Sequence, residues 1–356
     1  MTLQESTVPL FANHQTFHPR FGWIKKGYDA ALRDPGVFSE PDAPVLLGVG
    51  KNMVEAIRFW ATATKVLVRS PHPDRPRQSV YVPSCFGASL FDENYGLDPY
   101  AEDPSTLWIL HWQALTSLSQ LPIWRSAFND FTPVEFTEQA LFEFCVDEVA
   151  ATTWKQPTAA SIGKDVDCLL RMYTRREAKA RQTLDELLDS PFRELGLIAP
   201  SPSGAGKYRF VRGPKQSLSA AAIVYTCLDF MSREGQQKTA SSTRLAVDPG
   251  SPGRLLKISE DDITQAVEEV SGSVGGISLA RPAGTSQIVL DGSPELLALA
   301  VLNTLHKRRG HKPADINKLA VSGSAPRTAI LSEGELADQL ASVGKASVRG
   351  RQGVLL

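Results

Sequence analysis

The sequence has few cysteines and no long hydrophobic run, and each shortage excludes a class of protein. Its four cysteines, Cys85, Cys145, Cys168 and Cys227, form no CxxC pair and have no histidine at zinc-site spacing. We therefore predict buried, reduced thiols. No apolar stretch approaches the roughly 20 residues that span a bilayer, and the N-terminal MTLQESTVPLF lacks a secretory signal. These absences predict a globular protein of the cytoplasm with no membrane partner.

Signature motifs of several enzyme classes are also missing. GVGK (48–51) and GAGK (204–207) resemble nucleotide loops, but a P-loop needs a glycine five positions before its Gly-Lys pair and Ser or Thr after the lysine. Those positions hold Val45 and Asn52 in one segment and Ser201 and Tyr208 in the other. The chain also lacks HExxH, a GxGxxG after a strand and a Ser-His-Asp signature. Because neither glycine-lysine segment is a P-loop, ATP hydrolysis is excluded.

The stretch from Gly48 to Lys65 predicts a glycine turn followed by an amphipathic helix. One stripe is apolar and predicts the buried face: Met53, Val54, Ile57, Trp60 and Ala61. The opposite stripe is polar and predicts the solvent face: Lys51, Glu55, Arg58, Thr62 and Lys65. A helix-turn-helix presents its recognition helix in this way, although the same pattern is as typical of a helix that only packs in a core.

Two β-branched runs after this helix predict a small β-wing. KVLVRS and QSVYVP are separated by PHPDRPR, which places Arg75 and Arg77 at the wing tip. The predicted fold is therefore mainly α, of the α+β class, with winged-helix-like modules. We predict a DNA-binding domain over residues 1–100, a helical domain with further winged-helix-like elements over 101–310, and a flexible tail over 311–356.

Helix starts can also be predicted in the second region. Thr132, Pro133 and Glu135 fit a capped helix start, Ser161 fits another, and Ser259 begins a third. GGISLARP and TSQIVLDG predict a hairpin of two strands after that third helix.

The formal net charge is only −1, but the two signs are segregated along the chain. Residues 92–150 are acidic, with Arg125 as the single basic residue, so this region is not expected to face phosphates. It is instead a possible protein-docking surface. The basic residues gather in four groups: Arg20, Lys25, Lys26 and Arg33; Arg69, Arg75 and Arg77; Arg171, Arg175, Arg176, Lys179 and Arg181; Lys307, Arg308, Arg309 and Lys312. Such clusters suit an anionic polymer, and a solvated surface is the ordinary alternative.

The densest set of chemically active residues lies in NHQTFHPRFGWIKKGYD. A nuclease needs a base or a metal site together with cations that stabilise charge on phosphorus. We therefore predict catalytic roles for His14, His18 and Asp29. The alternative is that these residues only anchor the N-terminal arm, and Pro19 argues against the helix that would bring both histidines to one metal. The acids Asp92, Glu93 and Asp98 can be interpreted as magnesium ligands or as an acidic surface loop.

NHQTFHPRFGWIKKGYDA followed by LLGVGKNMVEAIRFW resembles the domain family found beside sulfur-activating enzymes in bacterial DNA phosphorothioation islands. The resemblance is firmest over residues 10–65 and extends to about residue 310. It implies a partner of a cysteine desulfurase, an ATPase and a sulfur transferase, which together replace a non-bridging phosphate oxygen by sulfur. It also implies that this member nicks DNA. The positions that carry it are His14, Arg20, Trp23, Lys25, Lys26, Gly50, Lys51, Asn52 and Arg58.

The sequence thus predicts a protein that binds double-stranded DNA and nicks it with a divalent metal such as Mg²⁺. The DNA-binding residues are expected to be Arg20, Lys25, Lys26, Lys51, Asn52, Arg58, Arg75 and Arg77. Lys51 and Arg58 would contact phosphates, and the Asn52 amide would read adenine. The alternative is a non-catalytic scaffold or a transcriptional regulator, and a regulator would need a two-fold dimer.

Overall fold

The computed structural model describes residues 2–72, 75, 77–93, 96–174 and 190–306. The predicted tail of residues 311–356 lies outside this part of the chain. So do the basic residues at 175, 176, 179, 181, 307–309 and 312, and the side chain of Cys85. The other three cysteines are buried free thiols, as predicted.

The N-terminal module consists of helices and one two-stranded wing. Its helices are α1 (Leu3–Ser6), α2 (Trp23–Arg33), α3 (Ala43–Leu47), α4 (Lys51–Ala63) and α5 (Cys85–Phe91). Strands β1 (Leu67–Pro71) and β2 (Ser79–Pro83) pair antiparallel, with Arg69 opposite Tyr81. The predicted recognition helix and wing therefore both form.

Two further modules each contain a three-stranded antiparallel sheet. The second has α6 (Pro104–Leu115), α7 (Pro122–Asn129), β3 (Glu135–Thr137), α8 (Glu138–Ala150), α9 (Ala159–Tyr173), β4 (Ile198–Pro200) and β5 (Lys207–Phe210). The third has α10 (Ala220–Arg233), β6 (Thr239–Ser241), α11 (Ser242–Val247), α12 (Pro252–Leu256), α13 (Glu260–Ser271), β7 (Ile277–Ala280), β8 (Gln287–Leu290) and α14 (Pro294–His306).

The strand orders β3-β5-β4 and β6-β8-β7 place the first strand of each module beside the last. Helices lie between the first and second strands, and the second and third strands form the wing. The protein is thus mainly α, of the α+β class, with winged-helix-like modules. The helices in the recognition position are α4, α9 and α13.

Two predicted helix starts are wrong. Residues Glu135–Thr137 form strand β3. Helix α8 begins at Glu138, and its N-cap is Thr137, whose side chain accepts a hydrogen bond from Ala140 N. Glu135 is held in the strand because its carboxylate accepts hydrogen bonds from Ser201 and Ser203 across the sheet. In α9 the N-cap is Thr158, and Ser161 is its hydrogen-bond partner. The Ser259 start of α13 is confirmed, with a complete capping box.

One continuous apolar core extends from Leu3 to Leu305 and passes through all three modules. The tryptophans Trp60, Trp108, Trp112 and Trp124 are fully buried in it. Each contributes roughly 1.5–3 kcal/mol or more through burial. Helices α2 and α4 cross closely at Gly27, where a Cβ would lie 3.0 Å from that of Ala61. The predicted domain boundary at residue 100 stays a prediction.

Candidate nucleic-acid interface

The N-terminal end of α4 projects Lys51 and Asn52 into solvent. Gly48 caps α3 in the left-handed region at φ 64°, which turns the chain sharply, and Gly50 is the N-cap of α4. Val54, Ile57, Trp60 and Ala61 are buried on the other side, so the predicted packing face is confirmed. Within the described residues, neither Lys51 nor Asn52 makes a side-chain hydrogen bond, and both are open to a ligand.

The polar face of α4 is covered toward its C-terminal end. Thr62 is only 8% exposed, so its predicted solvent position is wrong. Its hydroxyl donates to Gln120 Oε1, and the Lys65 ammonium donates to Thr116 and Ser117. The loop after α6 therefore packs on this half of the helix.

Arg58 connects the recognition helix to the wing. Its guanidinium pairs with Glu55 and lies 5.3 Å from the centre of the Tyr81 ring on β2. The wing itself carries three basic side chains on its exposed side, Arg69, Arg75 and Arg77. Arg69 donates to Ser79 across the hairpin, and Arg75 N donates to His72 Nδ1 at the turn. Basic groups thus lie on both the helix and the wing.

Four of the predicted site residues lie on or beside α2: Lys26 is exposed, Asp29 is half-buried, and Arg20 and Lys25 are buried. Lys26 is exposed and donates to Leu47 O at 3.0 Å, beside the α3–α4 turn. Lys25 is buried and donates to Asp29 Oδ1 at 2.5 Å, with Glu93 Oε1 at 3.8 Å. Arg20 is also buried, with its guanidinium 4.9 Å from the Trp23 ring. The structure therefore brings Lys25 and Asp29 together.

His14 lies inside the protein rather than at its surface. It is 1% exposed, and its Nε2 donates to Asp165 Oδ1 at 2.7 Å. Its ring packs on Phe59, Trp60 and Trp124. Burial alone would lower the pKa of His14, but the neighbouring Cys168 and Asp165 side chains raise it to about 10. Burial raises the pKa of Asp165, and His14 opposes that rise.

His18 makes a separate set of contacts. It is buried, and its Nδ1 bonds Pro19 O at 3.3 Å. Burial lowers the pKa of His18 to about 4, and the charges of Arg193, Arg171 and Arg20 lower it further. This ring is therefore neutral at pH 7. One nitrogen on each histidine is already engaged, and the contacts described do not join the two rings.

The predicted magnesium ligands do not form a ready cation site. The buried carboxylate of Asp98 accepts from Glu102 N, Asp103 N and Thr106 Oγ1, so it fixes the turn that leads into α6. Glu93 and Asp29 face the Lys25 ammonium instead. Over the described ranges, no group of three His, Cys, Asp or Glu side chains could hold a metal ion. The residues that the structure describes thus do not fit a preformed Mg²⁺ cage.

The three helices in the recognition position differ in charge. On α4, Lys51 and Arg58 outnumber Glu55, whereas on α9 Asp165 and Asp167 balance Lys164 and Arg171. The polar positions of α13 include Glu260, Asp261, Asp262, Glu268 and Glu269, and no basic residue belongs to this helix. A phosphate backbone would be repelled by α13 and attracted by α4. Of the three helices, α4 is therefore the one whose charge suits an anionic polymer.

The main contact that sequence reasoning missed is Asp165, the partner of His14. It lies 151 residues away along the chain. Its spacing from Ile162 and Leu169 places it on the apolar face of α9, and an acid on a buried face needs a partner.

Comparisons with known proteins relate the chain to one family and to solved structures. It matches the family described as protein of unknown function (DUF4007) over residues 11–306. It is 35% identical to the protein in the magnesium ion-bound SspB crystal structure, covering 96% of this chain and 98% of that chain, with a TM-score of 0.84. A second SspB crystal structure matches at 35% identity, 96% and 99% coverage and a TM-score of 0.83. A comparison with curated proteins finds no match.

In the described residues no helix is long and apolar enough to cross a membrane.

Proposed function

The chain belongs to the DUF4007 family and is an SspB-like protein, and we propose that it acts in bacterial DNA phosphorothioation. In this role it binds duplex DNA in the cytoplasm and nicks one strand so that sulfur can be incorporated. The observation that carries the proposal is the likeness to SspB, which extends over 96% of the chain at 35% identity. The proposed partners are a cysteine desulfurase, an ATPase and a sulfur transferase.

The DNA is proposed to lie across the N-terminal end of α4 and the β1–β2 wing. Lys51 contacts a phosphate and Asn52 reads a base edge, because both side chains are exposed at the end of the helix that enters a groove. Arg75 and Arg77 contact phosphates from the wing, and Lys26 flanks the α3–α4 turn. Arg58 is half-buried, and Lys25 and Arg20 are buried, so their contribution is mainly the positive field.

The nicking step is proposed to need Mg²⁺, since the related SspB structure contains that ion. Magnesium is usually bound by one or two carboxylates together with substrate phosphates, so DNA would supply part of its coordination. No protein ligand is assigned, because the described carboxylates form no ready site. Of the three predicted catalytic residues, Asp29 is only half-buried, whereas His14 and His18 are buried. Asp29 is therefore the one whose side chain DNA can approach most easily.

A non-catalytic scaffold is the second candidate. Two observations favour it: the burial of both histidines and the exposed acidic surface of α8, where Glu138, Glu143 and Asp147 face solvent. An acidic helix surface suits a basic protein partner rather than DNA.

The DNA-binding part is tested by measuring duplex affinity against salt concentration. Lys51→Ala is expected to weaken binding to all sequences and to reduce the salt slope by about 1. Asn52→Ala is expected to reduce sequence preference at about the same salt slope. Lys155→Ala removes an exposed lysine outside α4 and the wing and serves as the control. Unchanged affinity and slope in both α4 variants would remove this helix from the interface.

A further inference from the structure

A cleft of about 570 Å³ opens between α4 and the wing. Arg58, Phe59, Thr62 and Ala63 form its wall on the helix side, and Leu67, Val68, Arg69 and Tyr81 form its wall on the wing side. The N-terminal segment around Val8, Leu10 and Asn13 and the loop of Leu118 and Gln120 complete its lining. The volume lies within the roughly 300–1,000 Å³ of sites that hold small molecules.

The lining combines an apolar interior with cationic groups and free amides. Its charged side chains among the described residues are Arg58, Lys65 and Arg69; no carboxylate of that part of the chain lines it, and Glu55 pairs with Arg58 beside it. Gln120 accepts a hydrogen bond from Thr62 through Oε1, but its Nε2 donates none within the described residues. The amide of Asn13 likewise makes no hydrogen bond in that part of the chain. A suitable ligand therefore has a flat or apolar body, polar edges and a negative charge.

The cleft continues the surface that the proposed function assigns to DNA. Arg58 lies on the same helical face as Lys51, seven residues further along, which corresponds to about 10 Å. Arg69 belongs to the same hairpin as Arg75 and Arg77. A duplex bound at Lys51 and the wing tip therefore passes over the mouth of the cleft.

We propose that this cleft receives one unpaired nucleotide of the bound DNA. The base enters between the apolar walls, where the Asn13 and Gln120 amides can bond its edge. The phosphate stays at the mouth, between Arg58 on the helix and Arg69 on the wing. Removing one nucleotide from the stack distorts its strand and exposes the adjacent phosphodiester. This proposal rests on the proposed DNA-binding function and adds a site for a single base.

The test compares the affinity of the full chain for two single-stranded probes at one salt concentration. One probe is a short oligothymidylate, and the other has the same length and phosphates but abasic sugars. The unchanged protein is expected to bind the first about tenfold more tightly, since only that probe offers bases. Leu10→Trp, which fills the cleft from a loop, is expected to abolish the difference. Asn13→Leu with Gln120→Leu is expected to reduce it. Arg209→Ala, an exposed arginine on β5, is the control.

The outcomes separate this proposal from the one on which it rests. Equal affinity for both probes in the unchanged protein would overturn the base site, and so would a difference that persists in Leu10→Trp. Binding of decanoate, blocked by Leu10→Trp, without a base preference would assign the cleft to an apolar acid and also overturn the proposal. Duplex binding is measured in parallel with Lys51→Ala. If duplex affinity depends on Lys51 while the probes bind equally, only the base site fails.

Discussion

Replacing His14 by leucine is expected to destabilise the fold strongly, because it leaves a buried carboxylate without its partner. Asp165 is itself buried, and its Oδ1 accepts from His14 Nε2 and from Ala12 N. Its Oδ2 already has no hydrogen-bond partner. After His14→Leu, the Ala12 amide would be the single donor that the described structure offers to this side chain.

The expected loss is about 3–5 kcal/mol of unfolding free energy, the usual effect of breaking a buried pair. That is a large part of the roughly 5–15 kcal/mol that stabilises a typical protein. The double variant His14→Leu/Asp165→Leu is expected to recover most of it, since apolar residues of similar size often replace a buried pair without loss. About 1 kcal/mol should remain missing, because Ala12 N loses its acceptor.

His14, whose pKa is raised by Cys168 and Asp165, also gives a pH dependence with a definite sign. The pKa of His14 is raised from 6.5 in the unfolded chain to about 10 in the folded chain, so the folded chain binds the proton more tightly. Its stabilising effect is complete below pH 6.5 and is lost as the pH rises toward 10. The slope is at most about 1.4 kcal/mol per pH unit. The double variant should lack this loss.

Urea unfolding of the unchanged chain, both single variants and the double variant measures the coupling directly. A loss below about 1 kcal/mol in His14→Leu, or a double variant no better than either single one, would refute the buried pair. The result also bears on activity assays. Lost nicking in a His14 variant would carry no catalytic meaning unless the variant is still folded.

Three other changes test further parts of the fold. Lys257 is buried with its ammonium on Phe128 O, and burial lowers its pKa from 10.5 to about 7, so its own contribution to stability should rise between pH 7 and 10, opposite in sign to that of His14; in urea titrations, the unfolding free energy of the unchanged chain minus that of Lys257→Met should therefore increase over this range. Gly163→Ala in α9 is expected to raise the unfolding free energy by about 0.5–1 kcal/mol, because the new Cβ would lie 3.7 Å from the Phe142 ring without a clash. Gly253→Ala in α12 is expected to cost about 1–3 kcal/mol in the same assay, because its Cβ would lie 2.2 Å from Ala246 O. A lower unfolding free energy for Gly163→Ala, or none lost in Gly253→Ala, would contradict the packing described.

Local sequence patterns predicted the helix and the hairpin that are determined by residues close together in the chain. The glycines at 48 and 50 and the apolar stripe of Val54, Ile57, Trp60 and Ala61 are sufficient to define α4 and its buried face. The β-branched runs on either side of the proline-rich turn likewise predict the wing, and the resemblance to an SspB-like protein is confirmed. These features depend on residues a few positions apart, so periodicity and turn residues reveal them.

Features that depend on distant residues were not predictable in this way. Thr62 has the spacing of a solvent-facing residue, but the loop at Thr116 to Gln120 covers it. His14 has the residue type of a catalytic base, but Asp165 and Trp124 come from the second module and Trp60 from α4, and together they bury the ring. Glu135 fits a helix start until Ser201 and Ser203 hold it in a strand. In each case a tertiary contact overrides a correct local pattern.

The most direct test of the proposed function is the conversion of supercoiled plasmid to open circles by the purified protein. The incubations contain Mg²⁺, Mn²⁺ or EDTA, and Lys51→Ala/Asn52→Ala is the matched variant, because both side chains are exposed and their loss should not affect folding. We expect open circles with Mg²⁺, none with EDTA, and fewer with the variant. No open circles with either metal, while the plasmid is still bound in a salt-sensitive way, would contradict nicking and identify the protein as a DNA-binding scaffold.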